Sequence, residues 1–190
     1  MEQQFQYYAF ISYKREDEKW AKWLQDRLRW YKLPSKLCRQ ITRLPKKVWP
    51  VFRDNTDLDS GRLEENIRHE LERSHYLIVI CSPEAARSPW VGKEVKYFAT
   101  LHGADKIIPF VVSGIPYSND IETECIHEQI KAISQEELLA INVREEGIGS
   151  FAMKKKRAFI RVVARLLDIK FNTLWQPYER ILRIRKWSTG

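Results

Sequence analysis

The sequence predicts an α/β fold in which a parallel sheet is covered by helices on both faces. Five apolar runs of strand length alternate along the chain with segments of helical periodicity. This alternation is typical of parallel sheets, whose strands are joined by helical crossovers. With 190 residues the chain is long enough for one hydrophobic core, so we expect one domain with a C-terminal extension. The predicted strands are Tyr7–Ile11, Val48–Phe52, Tyr76–Cys81, Lys106–Val112 and Leu138–Val143.

The helices are predicted from apolar residues at helical spacing and from capping residues. Ser88 and Pro89 together mark a helix start, because serine caps free N–H groups and proline fits the first turn. Residues 32–47 contain two prolines and scattered basic residues, so we expect a long irregular connection there. The predicted helices carry Ala21, Leu24, Leu28 and Tyr31; Leu63, Ile67 and Leu71 up to about Arg73; Trp90, Glu94, Tyr97 and Phe98; residues 121–133; and residues 151–167.

Basic charge is concentrated in the last part of the chain. Residues 151–190 hold 11 of the 33 Lys and Arg residues but only two of the 25 acidic ones, which leaves 22 basic against 23 acidic residues before them. The predicted core is therefore close to neutral, and we expect no nucleic-acid-binding face on it. The basic extension is instead expected to meet phosphates, a membrane surface or a following segment of chain.

Three sequence features favour a cytoplasmic protein. No apolar run is long enough to span a bilayer, and the first residues lack the basic and apolar pattern of a secretory signal. The three cysteines lie far apart without metal-ligand spacing, so we expect reduced thiols. Membrane association is expected only through residues beyond 170.

Polar segments follow the first three strands, where ligands bind in open α/β sheets. Ser12, Tyr13, Lys14 and Arg15 supply two hydroxyls and two cations after the first strand, which suits a diphosphate, although a solvated loop has the same composition.

A loop from Arg53 to Gly61 follows the second strand and contains three aspartates. We expect a recognition loop there and not a metal site, since the EF-hand pattern is missing.

Trp90 and Glu94 are four residues apart on the helix predicted after the third strand, so they share one helix face. A carboxylate beside an aromatic ring suits cleavage of an N-glycosidic bond, in which positive charge develops on the ribose. The alternative is a tryptophan in the core and a glutamate paired with Lys93 or Lys96 on the surface. We expect the polar groups after the strands to gather at one edge, namely Ser12, Asp54, Ser82 and Glu94.

Several enzyme classes are excluded by missing motifs. The sequence contains no Gly-x-Ser-x-Gly elbow, no Gly-x-x-x-x-Gly-Lys phosphate loop and no Gly-x-Gly-x-x-Gly fingerprint. The four histidines include no His-x-x-x-His pair, so no metal site is predicted.

Taken together in this order, these segments resemble the TIR (Toll/interleukin-1 receptor) domain family over roughly residues 6–168. The resemblance implies a flavodoxin-like fold with five parallel strands, helices on both faces and an NAD⁺-consuming activity of the bacterial type. The likeness is carried by Phe10 to Arg15, Arg53 to Gly61, Ser74 to Ser82, and Ser88 to Glu94 followed by Ile107 to Pro109.

By this resemblance Glu94 matches the catalytic glutamate, and Trp90 matches the aromatic residue beside the bound nucleotide. The loop from Arg53 to Gly61 matches a segment that gates the site and makes domain–domain contacts. Substrate binding is predicted for Phe10, Ser12, Tyr13, Lys14, Arg15, Arg53, Asp54, Ser82 and Trp90.

The resemblance implies an NAD⁺ nucleosidase that gives ADP-ribose or a cyclic or conjugated form, acting in antiphage defence. NAD⁺ is then the substrate, and no resident cofactor is expected. The expected partners are NAD⁺, like domains through TIR–TIR contacts, and a membrane or downstream effector through the basic tail. We expect a TIR domain at residues 1–170 and a basic, helical extension at 171–190 that leads to a further domain or a membrane segment. The alternative is a non-enzymatic scaffold that acts by domain–domain assembly.

Overall fold

A computed structural model describes residues 5–53, 61–133, 139–144, 147, 149–176 and 179. It contains a five-stranded sheet whose neighbouring strands are all parallel, in the order β2-β1-β3-β4-β5. This confirms the predicted fold class. The strands are β1 (Tyr7–Ser12), β2 (Val51–Arg53), β3 (Ser74–Cys81), β4 (Ile107–Val111) and β5 (Ile141–Asn142).

Seven α-helices with defined bounds connect or cover these strands within the described part of the chain. Helices α3, α5 and α7 match predicted helices closely, and Ser88 caps α5 by accepting a hydrogen bond from the Val91 amide at 3.4 Å. The helices are α1 (Glu18–Trp30), α2 (Ser35–Gln40), α3 (Gly61–Glu72), α4 (Pro83–Ala86), α5 (Pro89–His102), α6 (Glu128–Ile133) and α7 (Phe151–Leu166).

Two hydrophobic clusters lie on opposite faces of the sheet, because alternate residues of a strand point to opposite sides. In β1, Ala9 and Ile11 join the cluster formed with α1 and α7, whereas Phe10 joins the cluster formed with α3, α5 and α6. Phe159, Val162, Val163 and Leu166 of α7 are buried in the first cluster. The layered arrangement places the carboxyl ends of β1 and β3 side by side, where Ser12 pairs in register with Val79.

Several element boundaries differ from the predictions, most of all in the segments before β2 and before α6. Residues 32–47 include the short helix α2, and β2 begins at Val51, after Pro50, which has no amide hydrogen for a sheet bond. The helix predicted at 121–133 is reduced to α6. In the preceding turn the carboxylate of Glu124 accepts hydrogen bonds from the amides of Tyr117 and Ile126, at 3.1 and 2.7 Å. These side-chain bonds compete with a helical arrangement.

The C-terminal segment packs against the domain. Residues 171–176 are helical, and Leu174 and Trp175 are only 3% and 4% exposed in the cluster with α1 and α7. Trp175 also donates a hydrogen bond to Glu179 at 2.7 Å and lies 4.8 Å below the guanidinium of Arg157. The separable extension therefore does not begin near residue 171 as expected, because these apolar side chains complete the core. None of the described helices has both the length and the apolar composition needed to cross a membrane.

Candidate functional site

Glu94 lies at the carboxyl end of β1. Its carboxylate accepts a hydrogen bond from the hydroxyl of Ser12, the last residue of that strand. Ser12 is 1% exposed and Glu94 is partly buried, so this contact is shielded from most of the solvent. Residues 82 positions apart are thus brought together, as expected from the rule that ligand sites form at this edge of the sheet.

Trp90 and Glu94 share one side of α5 and line the same cavity, which has a volume of about 280 Å³. The indole of Trp90 is 42% exposed, so it is a surface ring and not a core residue. The ammonium of Lys93 lies 4.5 Å from the centre of that ring. The arrangement places a hydroxyl-bound carboxylate near an accessible aromatic face, which suits a ribose flanked by a flat base.

Arg53 is an internal anchor at the end of β2. Its side chain is 9% exposed, and its Nη1 donates to the Tyr13 hydroxyl at 2.9 Å and reaches Glu18 at 3.4 Å. Its Nε donates to the side-chain oxygen of Gln25 at 3.0 Å. Gln25 was not identified from the sequence, because nothing local marks a glutamine in α1 as a partner for β2. These bonds give Arg53, at the end of β2, a structural role in positioning Tyr13.

Ser82 and Asp17 link two loops at the same edge. The buried Ser82 hydroxyl donates to the carboxylate of Asp17 and accepts a hydrogen bond from the Ala85 amide at 3.0 Å. Burial raises the pKa of Asp17, the Ser82 hydrogen bond opposes this rise, and the carboxylates of Glu84 and Glu16 add to it. Ser82 therefore holds the β1–α1 loop against the end of β3. Asp17 was not identified from the sequence as part of this edge, since its partner Ser82 is distant along the chain.

The remaining predicted residues have different surroundings. Phe10 is 0% exposed, and its ring stacks on Phe52 at 5.2 Å, so its side chain lies in the core beneath the site, and its substrate contact stays a prediction. Its position inside β1 directs it into the core face covered by α5. Lys14 is partly buried and Arg15 is exposed in the loop that follows β1. Asp54, together with the acidic loop, lies outside the described residues.

A second cavity, of about 630 Å³, lies on another side of α5. Lys93 and Lys96 line both cavities. At the wall of the second cavity His127 contacts the Ser88 carbonyl oxygen at 3.1 Å, and its Nδ1 accepts a hydrogen bond from the Gln129 amide at 3.0 Å. A Cβ atom at Gly92 would lie 2.5 Å from the His127 ring, so glycine is required for this close approach.

Comparison with known protein families covers most of the chain. A family model described as the TIR domain matches residues 9–146 of the chain. Among solved structures, the TIR domains of the activated Roq1 resistosome, which directly recognizes the pathogen effector XopQ, superpose with a TM-score of 0.54. That superposition covers 81% of this chain and 98% of the other at 14% sequence identity, which supports the fold.

A curated relative is more similar in sequence. The NAD(+) hydrolase ApTIR from Actinoplanes sp. is 36% identical over 110 residues. The match covers 57% of this chain but only 14% of the relative, so the chain corresponds to a small part of that longer protein.

Proposed function

The chain belongs to the TIR domain family, and on that premise we propose that it is an NAD⁺ nucleosidase, which cleaves the bond between nicotinamide and ribose. The observation that carries the proposal is the Ser12–Glu94 hydrogen bond, because it fixes a carboxylate beside the cavity that Trp90 lines. The similarity to a protein named NAD(+) hydrolase supports the same activity.

The chemistry requires little from the protein beyond charge stabilisation and positioning. When the bond breaks, its electron pair remains on the nicotinamide nitrogen, so the base leaves as a neutral molecule and positive charge develops on the ribose. The carboxylate of Glu94 stabilises that charge. Water then forms a bond to C1′ and releases a proton, which yields ADP-ribose. A cyclic product forms instead when an adenine nitrogen or a ribose hydroxyl reaches C1′ first.

The proposal is tested by the Glu94→Gln substitution in the full chain. The change is nearly isosteric, so we expect the fold to persist while NAD⁺ cleavage falls by about two orders of magnitude or more. Glu128→Gln, an exposed glutamate at the second cavity, is the matched control and should retain activity. Products separated by chromatography distinguish ADP-ribose from cyclic or conjugated forms. Full activity in folded Glu94→Gln protein would refute the assignment.

The loop from Arg53 to Gly61 is proposed to mediate association between copies of the domain and so to complete the site. Activity should then rise more steeply than protein concentration, and Asp57→Lys or Gly61→Arg should lower it without unfolding. Activity that stays proportional to protein concentration over about a hundredfold range, chosen to include ordinary dimer dissociation constants, would exclude this assembly. Assembly without any NAD⁺ cleavage would favour the scaffold function.

Antiphage defence and membrane contact through the basic tail complete the proposal. The basic residues of this tail that follow residue 179 are Arg180, Arg183, Arg185 and Lys186. Each basic residue near an anionic surface contributes about 1 kcal/mol, so binding to anionic vesicles should weaken as salt is raised. Equal binding by a chain that ends at residue 179 would exclude the tail as the contact.

A further inference from the structure

The cavity next to Glu94 continues as a groove between α3 and α5. Trp90 and Glu94 lie at one end, and Thr100 lies at the other. Six residue steps separate Glu94 from Thr100, which corresponds to about 9 Å along the helix axis. The groove therefore extends away from the edge of the sheet where bond cleavage is proposed, and it offers room for a part of the substrate that does not react.

The size of the groove limits what it can hold. Its volume of about 280 Å³ lies just below the range of about 300–1,000 Å³ that is typical of small-molecule sites. Such a volume suits one half of a dinucleotide and not the whole molecule. Ile67 and Leu71 supply apolar lining from α3, and Tyr97 supplies a second ring on α5.

The charges that line the groove select for an anion. Arg68, Lys93 and Lys96 are cations, whereas Glu94 is the single carboxylate among the lining residues that the structure describes. The guanidinium of Arg68 lies 5.3 Å from the centre of the Tyr97 ring, and Lys93 lies over Trp90. Aromatic walls beside positive charge match a ligand that has a flat base and phosphate groups.

The same charges decide which half of NAD⁺ fits. The nicotinamide ring of NAD⁺ carries a positive charge, which a lining of three cations repels. The other half carries adenine and is joined to the anionic diphosphate. We propose that the α3–α5 groove binds this adenosine diphosphate half, with nicotinamide directed toward Ser12; this orientation rests on the proposed function.

The test uses nucleotide fragments and direct binding by calorimetry on the full chain. AMP represents the adenine end, and nicotinamide mononucleotide represents the other end. Arg68→Glu and Thr100→Trp alter residues that line the groove but not the second cavity. Arg87→Glu is the matched control, since Arg87 is a cation of the second cavity alone. The thermal midpoint of each variant establishes that it is folded.

We expect AMP to bind the parent chain, and to bind the Glu94→Gln variant at least as tightly, because that substitution removes a carboxylate from the lining. Arg68→Glu and Thr100→Trp should each weaken AMP binding about tenfold or more, comparable with one lost charge-assisted bond. Arg87→Glu should change it less than about twofold, as expected for a distant exposed charge. Thr100→Trp should leave the binding of nicotinamide mononucleotide unchanged.

Three results would overturn the groove assignment. They are the absence of AMP binding, equal effects of Arg68→Glu and Arg87→Glu, and a loss of nicotinamide mononucleotide binding in Thr100→Trp with AMP binding intact. Failure of the proposed function has a different signature: AMP then binds in the groove as described, but the parent chain does not cleave NAD⁺. Cleavage without AMP binding refutes the groove alone.

Discussion

The hydroxyl of Ser12 donates a hydrogen bond to the carboxylate of Glu94, which joins the end of a central strand to a helix on one face of the sheet. Ser12 is therefore a positioning residue. A hydrogen bond to a charged group contributes about 1.5–3 kcal/mol, so Ser12→Ala should lower the kcat of NAD⁺ cleavage about tenfold or more. Ser12→Thr retains the hydroxyl and should recover most of the rate. Similar rates in the alanine and threonine variants would show that the hydrogen bond has no role in turnover.

Gly92 is expected to tolerate no side chain, because of its contact with His127. Alanine ordinarily stabilises a helix by about 1 kcal/mol relative to glycine, but overpacking costs about 1–3 kcal/mol. Gly92→Ala should thus lower the free energy of unfolding measured with urea. The penalty should shrink in a His127→Ala background, where the ring is absent. An equal penalty in both backgrounds would place the clash elsewhere.

Removal of the C-terminal helical segment should destabilise the domain. A chain that ends at residue 170 loses Leu174 and Trp175, which are buried. The loss of large buried side chains costs about 3–5 kcal/mol, so this chain should unfold at lower urea concentration than one that ends at residue 179. Coincident unfolding curves would restore the predicted domain boundary at residue 170.

Acid should weaken the fold through two partly buried histidines near Phe5. His75 stacks on the Phe5 ring at 4.7 Å, and His102 meets the same ring edge-on at 5.4 Å. Burial lowers the pKa of both; the positive charge of Lys106 also lowers that of His75, whereas backbone hydrogen bonds partly oppose the shift at His102. At a pH just below 6.5, the ordinary histidine pKa, these two histidines therefore bind more protons in the unfolded chain than in the folded one.

The stability that depends on these two neutral histidines is fully present above pH 6.5 and is lost as the pH falls from 6.5 toward the lower pKa values of the folded state. Between pH 7 and pH 5, the free energy of unfolding measured with urea should fall less for the His75→Gln/His102→Gln double variant than for the parent chain. These two pH values lie on either side of the ordinary histidine pKa. His127, whose pKa burial also lowers, remains in both proteins and accounts for part of the residual loss. An unchanged loss in the double variant would contradict the prediction.

Local patterns predicted the elements of this fold, whereas contacts distant in sequence decided the details. Ser88 and Pro89 marked the start of α5 because capping depends on adjacent residues. The spacing of Trp90 and Glu94 likewise placed both on one helix face. The anchoring of Arg53 by Gln25 and of Asp17 by Ser82 depends on how distant loops meet, which no local pattern contains. The direction of the Phe10 side chain is a related case, because its motif marks a strand next to the site but the pleat turns its ring into the core.

Helix α5 separates the groove from the second cavity, and its Lys93 and Lys96 line both of them. An anion in either space draws on the same two ammonium groups, so occupancy of one space lowers the affinity of the other for anions. Thermodynamic linkage makes this antagonism reciprocal, with the same factor in both directions. Screening by salt weakens it, because both lysines are exposed. Two chemically separate compartments are thereby coupled without any change of shape.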